Sequence, residues 1–324
     1  MVRFNRILVH IDTRRDNHPS LERAAELARL HGSQLTLLDV VPDFSWLDRL
    51  IHGDREPLRE KLTNEKRGKL KELRQDLQQR GLAASSVVRT APTSAALIEE
   101  ATQGEYDLVI KETKGRDSRR GGFLGTTANR LLRACPCAVL LVRPTGDGDW
   151  RRIVAAVDTT ADDETNRTLN ERIVDLALAF TTGRESQLEV VNAWIVYGEH
   201  LLREHMREAE FEEVGLQAKV HAERKLNELA MKFGMSIEDD CVKALHGDAC
   251  EVIPATVNDP PADLLVMGTV GRSGISGLLL GNTAERILEK VDCSVLAVKP
   301  ALSGVTQLTL AGASGVAAAS AGAE

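Results

Sequence analysis

The sequence predicts an α/β protein built from two tandem doubly wound domains, each with a five-stranded, mostly parallel sheet. Three observations carry that prediction. The chain repeats itself, each copy alternates short apolar runs with amphipathic stretches, and the apolar fraction is aliphatic: 43% of residues are hydrophobic but only 3% aromatic. With 324 residues, the chain is about twice the usual domain size of roughly 150.

The repeat is the decisive feature. Asp107 to Pro144 aligns without gaps on Asp263 to Pro300, with 17 identities in 38 positions. Upstream, Arg6 to Asp12 parallels Arg152 to Asp158, and Ser33-Gln34-Leu35 parallels Ser186-Gln187-Leu188. The offset grows from 146 to 153 to 156, as expected of a duplication with small insertions in its second copy. We therefore expect domains at 1–145 and 150–300, separated by the Gly/Asp linker Thr145 to Asp149. The Ala/Gly/Ser-rich stretch 301–324 cannot bury enough apolar surface to offset ordering its backbone, and reads as a disordered tail.

In the first copy the strand-like runs are Arg6 to Ile11, Gln34 to Val41, Ser85 to Thr90, Asp107 to Ile110 and Ala138 to Val142. Helical patterns fill the intervals at Leu21 to Leu30, Leu58 to Gln79, Ser94 to Thr102 and Thr127 to Arg133. Val/Leu/Ile-rich strands alternating with helices imply a parallel sheet covered on both faces. Such sheets bind ligands beyond the carboxyl ends of the strands, where the strand order reverses.

After the fourth strand of the second copy, Leu264 to Met267, the chain reads Gly268-Thr269-Val270-Gly271, nine residues, then Gly281-Asn282-Thr283 and a helix starting near Ala284. Gly268 and Gly271 let backbone amides approach an oxyanion, and Gly281 clears space at a helix N-terminus whose dipole favours phosphate. Asn282 or Thr283 would cap that helix or donate a side-chain hydrogen bond. In the first copy Gly115 and Gly125 keep the ten-residue offset and Thr126 and Thr127 supply hydroxyls, but Glu112 replaces Gly268. A carboxylate there repels phosphate, while Lys111, Lys114, Arg116, Arg119 and Arg120 crowd the same loop.

The segment Asp263 to Pro300 resembles the C-terminal signature of the universal stress protein family, and the two copies together resemble its tandem, E-type members. The resemblance covers residues 4–144 and 150–300. It implies an adenine-nucleotide α-hydrolase-like fold and an ATP site, with Mg²⁺ accompanying the phosphates. Carried over by position, the adenosine end falls on Val157 and Asp158 after the first strand, Ala193 after the second, and Met267 before the loop. The phosphate end falls on Gly268, Val270, Gly271, Gly281, Asn282 and Thr283. In this sequence Asn282 stands where the family pattern has a hydroxyl. Asp12 and Val40 hold the first copy's counterparts of Asp158 and Ala193. The resemblance also implies pairing through the edge strands Val139 to Val142 and Val295 to Val298, which a tandem chain can satisfy internally as a pseudo-dimer; higher assembly stays open.

No catalytic constellation or metal site assembles from the sequence. His246, after the third strand, reads as a loop residue, Asp248 as the N-cap of a helix over Ala249 to Val257, and no Walker lysine or acidic Mg²⁺ pair accompanies the loop. The five cysteines lack zinc or CxxC spacing and read as reduced, packed thiols, with Cys135 and Cys137 flanking Pro136. Net charge is −7, split as +4 in residues 1–150 and −11 beyond, without the basic stripe of a nucleic-acid binder. No signal peptide or membrane span is evident, so a cytoplasmic protein is expected. The reading is a nucleotide-binding stress or regulatory protein. The alternative is a scaffold or carrier of an apolar or anionic ligand, covered by helical insertions at Trp46 to Leu77 and Tyr197 to Lys232.

Overall fold

The computed structural model describes residues 4–42, 56–113, 124–144, 150–181, 186–269 and 280–300. The first copy runs β1 (Arg6–His10), α1 (Pro19–His31), β2 (Gln34–Val41), α2 (Glu56–Gln79), β3 (Ala84–Thr90), α3 (Thr93–Gln103), β4 (Leu108–Glu112), α4 (Thr126–Ala134) and β5 (Ala138–Val142). The second runs β6 (Arg152–Val157), α5 (Glu164–Thr181), β7 (Gln187–Trp194), α6 (Glu199–His205), α7 (Glu208–Met231), β8 (Val242–His246), α8 (Ala249–Asn258), β9 (Leu264–Gly268), α9 (Asn282–Lys290) and β10 (Ser294–Val298).

All ten strands form one sheet in the order β3-β2-β1-β4-β5-β10-β9-β6-β7-β8. Every pairing within a copy is parallel, and the two copies join where β5 runs antiparallel to β10. Side chains alternate between two apolar layers, as a sheet buried on both faces requires. Ile7, Val9, Leu70, Ile173 and Leu226 lie on one side with α1, α2, α5 and α7. Leu8, Leu97, Leu131, Ile253 and Ile287 lie on the other with α3, α4, α8 and α9.

The repeated residues prove to be clamps at the amino ends of the strands. Asp107 accepts hydrogen bonds from the backbone N–H groups of Asn5 and Arg6 at 2.5 and 3.0 Å, and Asp263 accepts from Arg151 and Arg152 at 2.8 and 2.9 Å. Ser33 Oγ donates to the Phe4 carbonyl at 2.6 Å, as Ser186 Oγ does to that of Trp150 at 2.5 Å. A shared carboxylate thus ties the start of each copy's first strand to its fourth.

The seam has local pseudo-two-fold symmetry, because Leu140 faces Leu296, its own counterpart at the offset of 156. Both are fully buried. Arg133 pairs with Glu285 at 2.8 Å, bridging α4 and α9. Lys299 donates to the carbonyls of Arg133 and Cys135, so its ammonium sits on the negative end of α4.

Several boundaries differ from the sequence reading. Val40 and Ala193 lie inside β2 and β7 rather than after them, and Gly268 and Glu112 are the last residues of β9 and β4 rather than loop residues. Parallel pairing extends the strands to these positions: Gly268 is opposite Val298 and Glu112 opposite Val142. Where described, the long insertions pack on the sheet, with Leu70 and Leu77 of α2 and Leu226, Leu229 and Ala230 of α7 buried in one layer. The stretch 301–324, the expected linker 145–149 and the expected phosphate-binding positions Val270 and Gly271 lie outside the described residues, as do Gly115 and the basic residues Lys114, Arg116, Arg119 and Arg120. Among the described residues no helix is long and apolar enough to cross a membrane.

Candidate functional site

Within each copy the strand order reverses between the first and fourth strands, so the crevice beyond their carboxyl ends is where a ligand would sit. Because β5 and β10 are antiparallel, the crevices of the two copies open at opposite edges of the sheet.

In the second copy, Val157 ends β6 and Asp158 begins the turn that follows. Asn170 of α5 fixes that turn: its Oδ1 accepts from the Asp158 N–H at 3.1 Å and its Nδ2 donates to the Asp158 carbonyl at 2.7 Å. The Asp158 carboxylate accepts from the Thr160 N–H at 3.0 Å and from its hydroxyl. Met267 is buried and Ala193 half-buried on the same side of the sheet. Below the turn, Asn192 is fully buried and its Oδ1 accepts from the Thr159 N–H at 3.2 Å. Asn192 Nδ2, Thr159 Oγ1 and Trp194 Nε1 are buried without a hydrogen-bond partner among the described residues. Each such group costs roughly 1–3 kcal/mol unless something satisfies it.

After β9, Thr269 is buried and its carbonyl accepts from the Gly281 N–H at 2.9 Å. Gly281, not Asn282 or Thr283, is the N-cap of α9, and among the described residues no side chain caps the helix. Asn282 and Thr283 are exposed residues of its first turn, where backbone N–H groups have no intrahelical acceptor. Gly268 has a packing reason: a Cβ there would lie 3.0 Å from Leu169 Cδ2 and 3.6 Å from Ile173 Cδ1 of α5.

His246 meets α6 and β7. Its Nε2 is 3.4 Å from the Glu199 carboxylate, and its ring lies tilted against Trp194 with the ring centroids 4.5 Å apart. Asp248 is the N-cap of α8, accepting from the Cys250 N–H at 2.7 Å. Among the described residues no group of three or more His, Cys, Asp or Glu side chains gathers to hold a metal.

The first crevice has different chemistry. Arg14 donates to both oxygens of Asp12, at 2.8 and 2.7 Å, holding that carboxyl well below the usual carboxylate range. Arg15 pairs with Glu112, the residue in the place of Gly268; burial pushes the Glu112 carboxyl up against the pull of Arg15 and Lys111. Beneath them, Asp39 is 2% exposed and accepts from Lys66 Nζ at 2.6 Å, the Thr13 hydroxyl at 2.6 Å and the Thr13 N–H at 3.1 Å. The β-registers place Asp39 in the first copy where Asn192 stands in the second. Gly125 N-caps α4 with no side-chain cap, with Thr126 and Thr127 in its first turn.

The sequence reading missed this Lys66–Asp39–Thr13 cluster. An acidic residue inside the apolar run Gln34–Val41 was its one visible trace. Burial also lowers the pKa of His10, at the end of β1, to about 4. Since an unfolded histidine titrates near 6.5, the unfolded chain binds the extra proton first. Stability contributed by neutral His10 is therefore lost as pH falls from about 6.5 towards 4, by roughly 3 kcal/mol in total. His10→Ala, which copies Ala156 of the second repeat, is expected to flatten that acid limb in denaturation curves measured from pH 7 to pH 4. An unchanged slope would refute the assignment.

These features coincide with what comparison shows. The model of the universal stress protein family matches twice, over residues 3–143 and 149–299. The chain belongs to the universal stress protein family. Among family members, "Universal stress protein E homolog" of Haemophilus influenzae is 31% identical over 220 residues, 67% of this chain and 69% of the relative. "Universal stress protein E" of Escherichia coli K12 is 26% identical over 304 residues, 93% of this chain and 95% of that one. A putative universal stress protein of Pseudomonas aeruginosa, solved by crystallography, has a TM-score of 0.66 at 25% identity, covering 92% of this chain and 94% of its own. The likeness spans both copies, so the tandem arrangement is shared along with the domain.

Proposed function

We propose that this family member is an ATP-binding protein with a regulatory or stress-protective role, and that nucleotide binds mainly in the second copy. One contrast carries this reading. At the first crevice Asp12, Asp39 and Glu112 are held by Arg14, Lys66 and Arg15. At the second, a structured turn holds Asp158 above buried polar atoms that have no protein partner among the described residues.

The residues present suit the ligand. Val157, Asp158, Ala193 and Met267 would hold the adenosine end; Gly268, Gly281, Asn282 and Thr283, with Val270 and Gly271, would take the phosphates at the N-terminus of α9. Mg²⁺ would arrive on the phosphates. The first-copy positions Asp12, Val40, Gly115, Gly125, Thr126 and Thr127 form a diverged companion in this reading, which places the protein in the cytoplasm and divides it at 1–145 and 150–300.

A second reading, a carrier or scaffold for an apolar ligand, draws on the exposed side chains of Ile195, Tyr197, Leu201, Leu216 and Val220 around α6 and α7. Isothermal titration with ATP separates the two. The wild type is expected to give one site per chain, and Gly271→Asp to lose it. Equal heats from the two proteins, or none from either, would sink the nucleotide reading.

A further inference from the structure

Cys135, Pro136 and Cys137 join α4 to β5 beside the seam between the copies. Both thiols are free, and their sulfurs are 3.7 Å apart. Pro136 is exposed, Cys137 half-buried and Cys135 1% exposed, so Cys137 is the more open of the two cysteines. The proline fixes its own φ and restricts the residue before it, which keeps the two side chains facing one another.

A helix C-terminus ordinarily disfavours a thiolate, because its carbonyl dipoles point negative ends at it. Here the Lys299 ammonium lies on the carbonyls of Arg133 and Cys135 and adds positive charge at both sulfurs. The second copy lacks the arrangement: Val291 stands in the place of Cys135, and burial pushes the lone Cys293 thiol up to about 12.

We propose that Cys135 and Cys137 form a redox-active dithiol that closes to an intrachain disulfide when oxidised by a hydroperoxide. Cys137, the more open residue, attacks the peroxide O–O bond as its thiolate. Its proton passes to solvent, the departing oxygen is protonated by solvent and leaves as alcohol or water, and Cys137 becomes a sulfenic acid. Cys135 then attacks the Cys137 sulfur; the S–S bond forms and the sulfenic oxygen leaves as water. Two thiols and one hydroperoxide give one disulfide, one alcohol and one water, so two electrons pass from sulfur to the peroxide. To reach a bond length near 2.05 Å the sulfurs must approach by less than about 2 Å, which side-chain torsions can supply. The hydrogen bond between the two sulfurs couples their titration, lowering the Cys135 pKa and raising that of Cys137.

The test uses the full chain, hydrogen peroxide and mass spectrometry of the tryptic peptide Ala134 to Arg151, which contains both cysteines and no others, because the Arg143–Pro144 bond resists trypsin. After peroxide, alkylation and denaturation, the wild-type peptide is expected to be two hydrogens lighter and to carry no alkyl group, with both thiols restored by dithiothreitol. Cys293 stays a thiol. In Cys135→Ser, confirmed as folded by its melting curve, dimedone is expected to capture a sulfenic acid on Cys137. Phenylarsine oxide, which bridges paired thiols, is expected to crosslink the untreated wild-type pair and supplies a readout that needs no variant. A wild-type peptide that keeps two free thiols, one that carries dimedone on Cys137 instead of the disulfide, or the absence of a bridged arsenical would overturn the proposal.

Discussion

Asp39→Asn is expected to destabilise the first copy by about 3–5 kcal/mol, the usual cost of removing one partner from a buried ion pair. The Asp39 side chain is 3% exposed and that of Lys66 12%. An amide keeps the shape and the Thr13 contact but leaves the Lys66 ammonium buried without its counter-charge. The second copy shows the charge-free alternative. Asn192 occupies the strand position, and Ala222 stands on α7 at the offset of 156 that relates Leu70 to Leu226. The double variant Asp39→Asn/Lys66→Ala should therefore recover much of the loss. Calorimetry resolves the two copies if they unfold separately; a single-variant loss below about 1 kcal/mol would show that the pair is not the buried clamp described here.

Leu140→Asp should cost a comparable amount, about 4 kcal/mol or beyond, because a carboxylate would sit at the centre of the β5·β10 seam with no partner for its charge. The effect should be structural as well as energetic. Separating the strands exposes two edges whose backbone groups need new partners, so the variant should populate oligomers or aggregates in size-exclusion chromatography. A monomeric variant with an unchanged melting curve would contradict the seam.

The fold was largely legible because its determinants are local and repeated. Apolar runs named the strands, and the duplicated Asp107/Asp263 and Ser33/Ser186 proved to be backbone clamps whose geometry explains why those positions match. Strand ends were less legible. Val40, Ala193 and Gly268 are extended because neighbouring strands pair with them, and pairing is a property of the sheet rather than of the segment.

The candidate site was legible only in part. The glycine spacing marks where β9 meets α9, but Gly268 also accommodates Leu169, which lies far away in sequence. The ion pairs of the first crevice were invisible for the same reason: Lys66 reaches Asp39 only once α2 packs on the sheet. Charge near Glu112 was noticed, whereas its pairing with Arg15 depends on the turn after β1.

The pairing of Leu140 with its own counterpart has an evolutionary consequence. In a homodimer, any substitution that fills one ligand crevice with an ion pair fills both, since the subunits share one sequence. Here the partner is covalently attached and held at a high effective concentration. Each half is then free to drift while the seam keeps its match, and every molecule carries one crevice of each kind, in a fixed ratio that no exchange of subunits can alter.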